Sequence, residues 1–236
     1  MDYSIKLTKE EIKALPREEK INYYTYHTDA VSISNQNKKT GPMCNDLAMP
    51  TCTCREDAPC RKSGQCYCMK GTQQFPNVLG AYYRNLRLYN TDAEDFWNQV
   101  EFFIKHRPLP LFRWHDAGEF VDYDYFLKTV ELAQKFPKIK FLAYTKKYDL
   151  VNRYLDEGNE LPKNYTIRFS MWHKLWEVPN PHNLPVAYVD FTDETINPDF
   201  PEKIAHCPNQ KDDTITCSIC QKCWNKKVPA VVFHQH

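Results

Sequence analysis

Ten cysteines fall into two groups, six between Cys44 and Cys68 and four between Cys207 and Cys223, with none in between. Thiols used as small core hydrophobes would be scattered, so this grouping points to metal ligation or redox chemistry. The C-terminal group reads Cys217-x2-Cys220-x2-Cys223, with Cys207-Pro208 upstream. Bacterial ferredoxins use a C-x2-C-x2-C run for three corners of a [4Fe-4S] cube and a more distant Cys-Pro as a further ligand. Tetrahedral zinc also takes four thiolates, but its usual pattern is two separated C-x2-C knuckles. An iron-sulfur cluster is therefore the first reading, zinc the second, and redox-active or merely buried thiols the third. The N-terminal group, Cys52-x-Cys54-x5-Cys60-x5-Cys66-x-Cys68, is denser. Neighbouring C-x-C side chains diverge too far for a mutual disulfide, yet both sulfurs can serve a metal centre. Six thiols exceed what one cubane needs, so some are spare, or a second cluster is held, or ligands are shared with the C-terminal group. Cys44, the most isolated, reads equally as a free thiol. Arg55, Arg61, Lys62 and Lys70 interleave with these thiols and would offset thiolate charge.

A second constellation is Arg113-Trp114-His115-Asp116-Ala117-Gly118-Glu119. An apolar strand running into an imidazole and two carboxylates suits proton transfer or binding of a polar cofactor. We assign His115, Asp116 and Glu119 as catalytic candidates, and Arg113, Gly118 and Lys146 as cofactor-binding ones. The competing reading is a turn whose acids cap the next helix. Tyr144 and Thr145, then Ser170, Trp172 and His173, are weaker candidates at the ends of later strands.

These residues need elements to position them. Thr8 with Glu11 forms a capping-box pattern for a short helix that Pro16 stops. Residues 32–71 lack helix or strand period and are punctuated by Gly41-Pro42, Pro50, Pro59 and Gly64, as in a long loop held by something other than its own packing. Beyond Gly71 the pattern alternates. Residues 78–89 read as a helix, Thr91 and Glu94 cap another, and 109–114 read as a strand. Asp122 caps a helix that Pro137 ends, 139–144 form a strand, and 148–155 form a helix closed by Gly158. Residues 165–170 and 186–191 read as strands. This rhythm predicts an α/β protein with parallel pairing and right-handed crossovers, a partial or complete (β/α) barrel, whose chemistry would sit where strands end. We expect a single domain over 1–236: a helical extension (1–40), a cysteine-rich metal loop (41–71), the α/β core (72–200) and a cysteine-rich cluster segment (201–236).

Composition narrows the function. Lys and Arg total 31 against 30 Asp and Glu, a net charge of +1, which argues against nucleic-acid binding through bulk charge. The charged N-terminus has no apolar core of a secretory signal, and no apolar run reaches membrane-spanning length, so a cytoplasmic location in the host cell and no membrane partner are expected.

The cysteine-rich loop ending in Cys66-Tyr67-Cys68-Met69-Lys70-Gly71, then Asn85, the run from Phe112 to Phe120, Ala143-Tyr144-Thr145-Lys146, and Cys207-Pro208 with Cys217, Cys220, Cys223 and Trp224 together resemble the gene product 88 family carried by phages and mobile elements. That family usually has a small residue where this chain has Cys68, and Ser-Gly-Asp where it has Ala117-Gly118-Glu119. A more distant similarity is to radical S-adenosylmethionine enzymes, whose Gly-Gly-Glu turn Ala117-Gly118-Glu119 looks like. It would imply that cofactor, but the C-x3-C-x2-C loop of those enzymes is absent. The leading expectation is an iron-sulfur protein, with one or two [4Fe-4S] clusters, performing redox or cluster-assisted catalysis with an electron donor or small-molecule substrate. The alternative is a zinc-stabilised module whose Lys135, Lys138, Lys140, Lys146 and Lys147 contact nucleic acid or a host protein.

Overall fold

A computed structural model describes residues 3–35, 37–172, 178–190 and 204–234. Two short helices, α1 (Lys9–Ala14) and α2 (Arg17–Tyr26), precede the first strand. The capping box at α1 forms as expected, the Glu11 backbone N–H donating to Thr8 and the Thr8 backbone N–H to the Glu11 carboxylate. Strands β1 (Ile33–Asn35) and β2 (Cys44–Leu47) follow, then a short helix α3 (Pro59–Lys62) inside the cysteine loop. The regular part contains α4 (Pro76–Thr91), α5 (Ala93–His106), β3 (Leu111–Trp114), α6 (Tyr123–Lys135), β4 (Lys140–Thr145), α7 (Tyr148–Asp156), β5 (Tyr165–Met171) and β6 (Val186–Asp190). β7 (Ile204–His206), α8 (Cys217–Cys220) and β8 (Ala230–His234) complete the described elements.

Most expected elements are present, with shifted ends. Thr91 is the last residue of α4 rather than a cap. Asp92 caps α5, accepting from the Asp95 backbone N–H at 2.9 Å. Phe191 and His173 lie outside the described residues. The region read as extension and loop also contributes β1 and β2 to the sheet. β2 escapes sequence detection because its four residues, Cys44-Asn45-Asp46-Leu47, are all buried yet half polar.

The eight strands form one sheet in the order β1-β2-β3-β4-β5-β6-β8-β7. Only β1 pairs antiparallel; all other pairings are parallel. β1 and β7 are its two ends among the described residues, so of the partial or complete barrel expected, the complete form is corrected to an open sheet. From β2 to β6 the strands neighbour each other in chain order. With right-handed crossovers, such winding puts every connecting helix on one face. The side chains agree: α4, α5, α6 and α7 bury Leu88, Phe96, Val100, Phe126 and Val151 against Phe112, Trp114, Phe141, Ala143, Ile167 and Phe169 of the sheet. α2 lies against α4 at Gly80, where a Cβ would come within 2.3 Å of the Tyr24 side chain.

The alternate residues of the same strands point to the other face, away from α4, α5, α6 and α7. Register places Asp46 beside Arg113, Arg113 beside Leu142, Leu142 beside Thr166, and Tyr144 beside Arg168. Polar residues in the middle of strands are affordable only where a second layer or a site satisfies them. Here Trp224 and the C-terminal cysteine segment supply part of that layer, packing on Cys44, Leu111 and Leu142. Among the described residues no helix is long and apolar enough to cross a membrane.

Candidate functional site

The face opposite α4 to α7 opens into a cavity of about 510 Å³. Four cysteines of the N-terminal group (Cys54, Cys60, Cys66, Cys68) and all four of the C-terminal group (Cys207, Cys217, Cys220, Cys223) line it, together with Arg113, His115, Asp116, Gly118, Glu119 and Lys146. The N-terminal loop reaches it because it leaves the C-terminal end of β2, beside the turn that follows β3. The Met49 backbone N–H donates to the Ala117 carbonyl at 3.0 Å, and the Glu119 N–H to the Thr53 hydroxyl at 2.8 Å. Gly118 allows this contact: its φ is +76°, and a Cβ would stand 2.5 Å from the Met49 carbonyl oxygen. Its part in the site is thus a close approach of two backbones.

Cys60, Cys66 and Cys68 pack with Ala48, Ala58 and Ala117, and the Cys68 thiol donates to the Asp116 carbonyl at 3.7 Å. Burial pushes the Cys54 thiol up to about 12, with the Glu119 carboxylate adding to the effect. Cys52 is solvent-exposed and does not line the cavity. Cys44 belongs to the sheet: fully buried in β2, it packs with Leu111, Leu142 and Trp224 and donates to its neighbour's carbonyl, the Asn45 oxygen.

The C-terminal segment is held differently. Arg168, 0% exposed in β5, spends its guanidinium on five backbone carbonyls, those of Cys223 (2.9 Å), Asn225 and Val228 (3.0 Å), Lys222 (3.1 Å) and Val186 (3.3 Å). Thr166 donates to the Trp224 carbonyl at 2.9 Å. On the other side the Cys217 and Ser218 N–H groups donate to the Lys39 and Thr40 carbonyls, both at 2.9 Å. Sequence reading missed Arg168: an arginine inside a strand with a period-2 pattern looks like a solvent-facing residue, and only the second layer reveals its use. Burial pushes the Cys223 thiol up to about 11, while a hydrogen bond with Tyr144 acts the other way.

Between the two groups lie the strand-end candidates. The Glu119 carboxylate is buried and accepts from the Thr145 hydroxyl at 2.7 Å and the Lys146 N–H at 2.8 Å. It ties the β3 turn to the end of β4, and burial raises its pKa. Lys146 donates from Nζ to the Ser170 hydroxyl at 3.0 Å. His115 has φ of +60°, which turns its ring back toward the helical core beside Phe120 and Tyr125; Nε2 lies 3.2 Å from the Tyr125 hydroxyl. Burial, reinforced by the Lys147 charge, lowers its pKa to about 3, so the ring is neutral at pH 7. The Asp116 N–H donates to Asp46 at 3.4 Å, and its carbonyl accepts from the Tyr67 hydroxyl. Burial raises the pKa of both Asp46 and Asp116, and the Asp116 charge pushes Asp46 further. Trp172 also lines the cavity, and Thr145 is buried beneath Glu119.

The donors suit a thiolate-selecting metal: eight sulfurs, four from each group, face one enclosed space. Among the described residues, however, no three His, Cys, Asp or Glu side chains are disposed to hold a metal ion as they stand. Ligation would require the sulfurs of each group to draw together. The five lysines of the alternative reading are spread along and beyond β4. Lys138 and Lys140 lie at the start of β4 and Lys146 and Lys147 beyond its end, roughly 20 Å apart at the rise of a strand. Lys135 is paired with Glu101 at 2.6 Å.

No curated protein and no solved structure matches this chain, so the similarity to radical S-adenosylmethionine enzymes gains no support. Gene product 88 matches residues 6–226, which takes in the helical extension, the cysteine loop, β3 with its turn and all four C-terminal cysteines; the chain belongs to the gene product 88 family.

Proposed function

We propose that this protein is an iron-sulfur protein built on a partial (β/α) barrel, acting by redox or cluster-assisted chemistry in the host cytoplasm. One observation carries the reading: eight cysteines from segments far apart in sequence line a single cavity on the sheet face opposite α4 to α7. Cys54, Cys60, Cys66 and Cys68 would hold one centre, and Cys207, Cys217, Cys220 and Cys223 another. An iron-sulfur centre, when bound, supplies a one-electron couple.

The chain's own residues do the rest. Arg168 fixes the segment carrying Cys217, Cys220 and Cys223, and its permanent charge lies close enough to Cys223 to favour a thiolate there. Lys39 and Arg113 are two further cations on this side, both acting on Cys217. These cations offset part of the burial that raises the Cys217 and Cys223 thiols, and would help to balance the negative charge of a bound cluster. Glu119 brackets the N-terminal loop against β4. Asp116, its pKa raised by burial, is a carboxyl at the cavity wall that could take part in proton transfer. Zinc in the C-terminal group is the second reading. The observation favouring it is that this segment is already pinned to the sheet, as a four-thiolate structural site would be.

Anaerobic purification followed by iron, sulfide and zinc analysis tests both readings. The expected result is brown protein with near-stoichiometric iron and sulfide and a broad absorbance that bleaches on reduction. Stoichiometric zinc in colourless protein would transfer the case to the second reading, and folded protein free of both metals would end both. Replacing Cys220 by Ala is expected to remove metal and lower the melting temperature together, since ligation and folding energies are linked at such sites.

A further inference from the structure

We propose that Arg113 anchors the acidic group of a small-molecule ligand, a carboxylate or phosphoryl oxyanion, in the cavity between the two cysteine groups. The inference deepens the reading above by naming the substrate class, but it does not require metal to be bound.

Two arginines point from the same face of the sheet, on the two strands that flank β4. Arg168 is saturated by five carbonyls and has no capacity left. Arg113 is also largely buried, its side chain 14% exposed, but its donors are barely used. Its buried Nε is ion-paired with Asp46 at 3.9 Å, beyond hydrogen-bond distance, and its terminal nitrogens have no hydrogen bond among the described residues. Its guanidinium lies over the Tyr144 ring, 5.2 Å from the centroid, which fixes the plane of the fork. A buried guanidinium with open donors is unfavourable unless something accepts from it, and a planar fork matches the two oxygens of a carboxylate or phosphoryl group.

The surrounding charges favour an anion. Lys39 lines the same cavity, with Nζ 5.6 Å from the Phe233 centroid. It is near enough to Arg113 for the two cations to repel; burial and that repulsion both lower its pKa. Of the nearby acids, Asp46 is ion-paired with Arg113 at 3.9 Å and accepts from the Asp116 backbone N–H at 3.4 Å. Arg113 and Lys39 thus place two cations at the wall of one cavity. A volume of about 510 Å³ lies within the range of small-molecule sites.

The test is calorimetric titration of the full chain, purified anaerobically, with succinate, with inorganic phosphate and with succinamide as the uncharged counterpart. Binding of succinate or phosphate but not of succinamide is expected, and the tighter of the two tells carboxylate from phosphoryl recognition. Arg113→Gln should weaken that binding by about tenfold or more, the loss of a charge-assisted hydrogen bond. Lys39→Gln, a loop substitution less prone to disturb the sheet, should weaken it by a smaller factor. Equal affinity for succinamide, no binding of either anion, or unchanged binding in a folded Arg113→Gln protein would overturn the proposal. Metal analysis of the same samples keeps the two claims apart. Anion binding by metal-free wild-type protein would leave this inference standing and remove the iron-sulfur reading, whereas metal without anion binding would do the reverse.

Discussion

Where the C-terminal cysteine segment is bolted to the sheet by Arg168, Thr166 and the 39–40 carbonyls, the N-terminal cysteine loop makes most of its backbone hydrogen bonds within itself. Those bonds close local turns, such as Cys54 to Thr51, Arg61 to Ala58 and Met69 to Cys66. Its outward ties among the described residues are mostly single bonds: Met49 with Ala117, Thr53 with Glu119, Tyr67 and the Cys68 thiol with Asp116, and Gln74 with the Cys68 carbonyl. Two segments thus bring four thiols each to one cavity, one positioned by the protein and the other far more dependent on what its thiols bind. The difference teaches that sulfur count alone does not define a site; the backbone's other commitments decide which site is preorganised.

The largest effect is expected at Arg168. Arg168→Met leaves five buried carbonyls without their donor, a loss of about 3–5 kcal/mol by analogy with broken buried networks. Chemical denaturation would measure it, and limited proteolysis should show new cleavage within 207–228 while the 50–71 loop is unchanged. Unaltered stability would break the comparison at its stronger end.

Gly118→Ala probes the other end. The Cβ would meet the Met49 carbonyl at 2.5 Å in a left-handed conformation, costing about 1–3 kcal/mol. Hydrogen exchange should rise in 49–54 and not in 217–224. Equal loosening of both segments would show them to be one cooperative unit.

A pH dependence sharpens the contrast on the N-terminal side. His115 is held neutral down to about 3 in the folded protein against 6.5 when free. As pH falls through that window the unfolded chain takes a proton that the folded one refuses, so stability falls by at most about 1.4 kcal/mol per pH unit. The raised carboxyls of Asp46, Asp116 and Glu119 act oppositely: the folded chain keeps protons that the unfolded one has released, so their contribution declines as pH rises through their folded values. The informative quantity is the difference between wild type and His115→Asn, a residue tolerant of positive φ. The variant should lose the acid-side slope between about 6.5 and 3, as followed by melting temperature.

The smallest effect is expected at Cys52. Exposed and away from the cavity, it should tolerate Ser within about 0.5 kcal/mol and retain full metal content, whereas Cys60→Ser should lose metal from the N-terminal group. Metal lost from Cys52→Ser would restore it to the ligand set.

Much of the regular fold was readable because helix and strand periods are local. α6 shows its Asp122 cap and its stripe of Tyr125, Phe126, Val130 and Ala133 without any reference to the rest of the chain. The C-x2-C-x2-C run is equally local. Strand β2 was not readable, since its Asn45 and Asp46 are polar residues that only neighbours across the sheet make sense of. Cys44 therefore looked like a stray thiol and proved to be a core residue. The rim carboxylates were found from their position after a strand. Their partners in the neighbouring strand and loop, Thr145, Lys146 and Asp46, could be assigned only from the register.

Residue types and their spacing alone determined that this chain is α/β, that its thiols come in two sets and that a polar turn follows β3, because each of these is written within a few consecutive residues. Tertiary structure decided that the sheet stays open, that both sets of thiols meet at one cavity, and that of two arginines on one face Arg168 is consumed by carbonyls while Arg113, ion-paired with Asp46, lines the cavity. The physical reason is that strand order, burial and hydrogen-bond saturation are properties of pairs of segments far apart in the chain, and no local pattern encodes them.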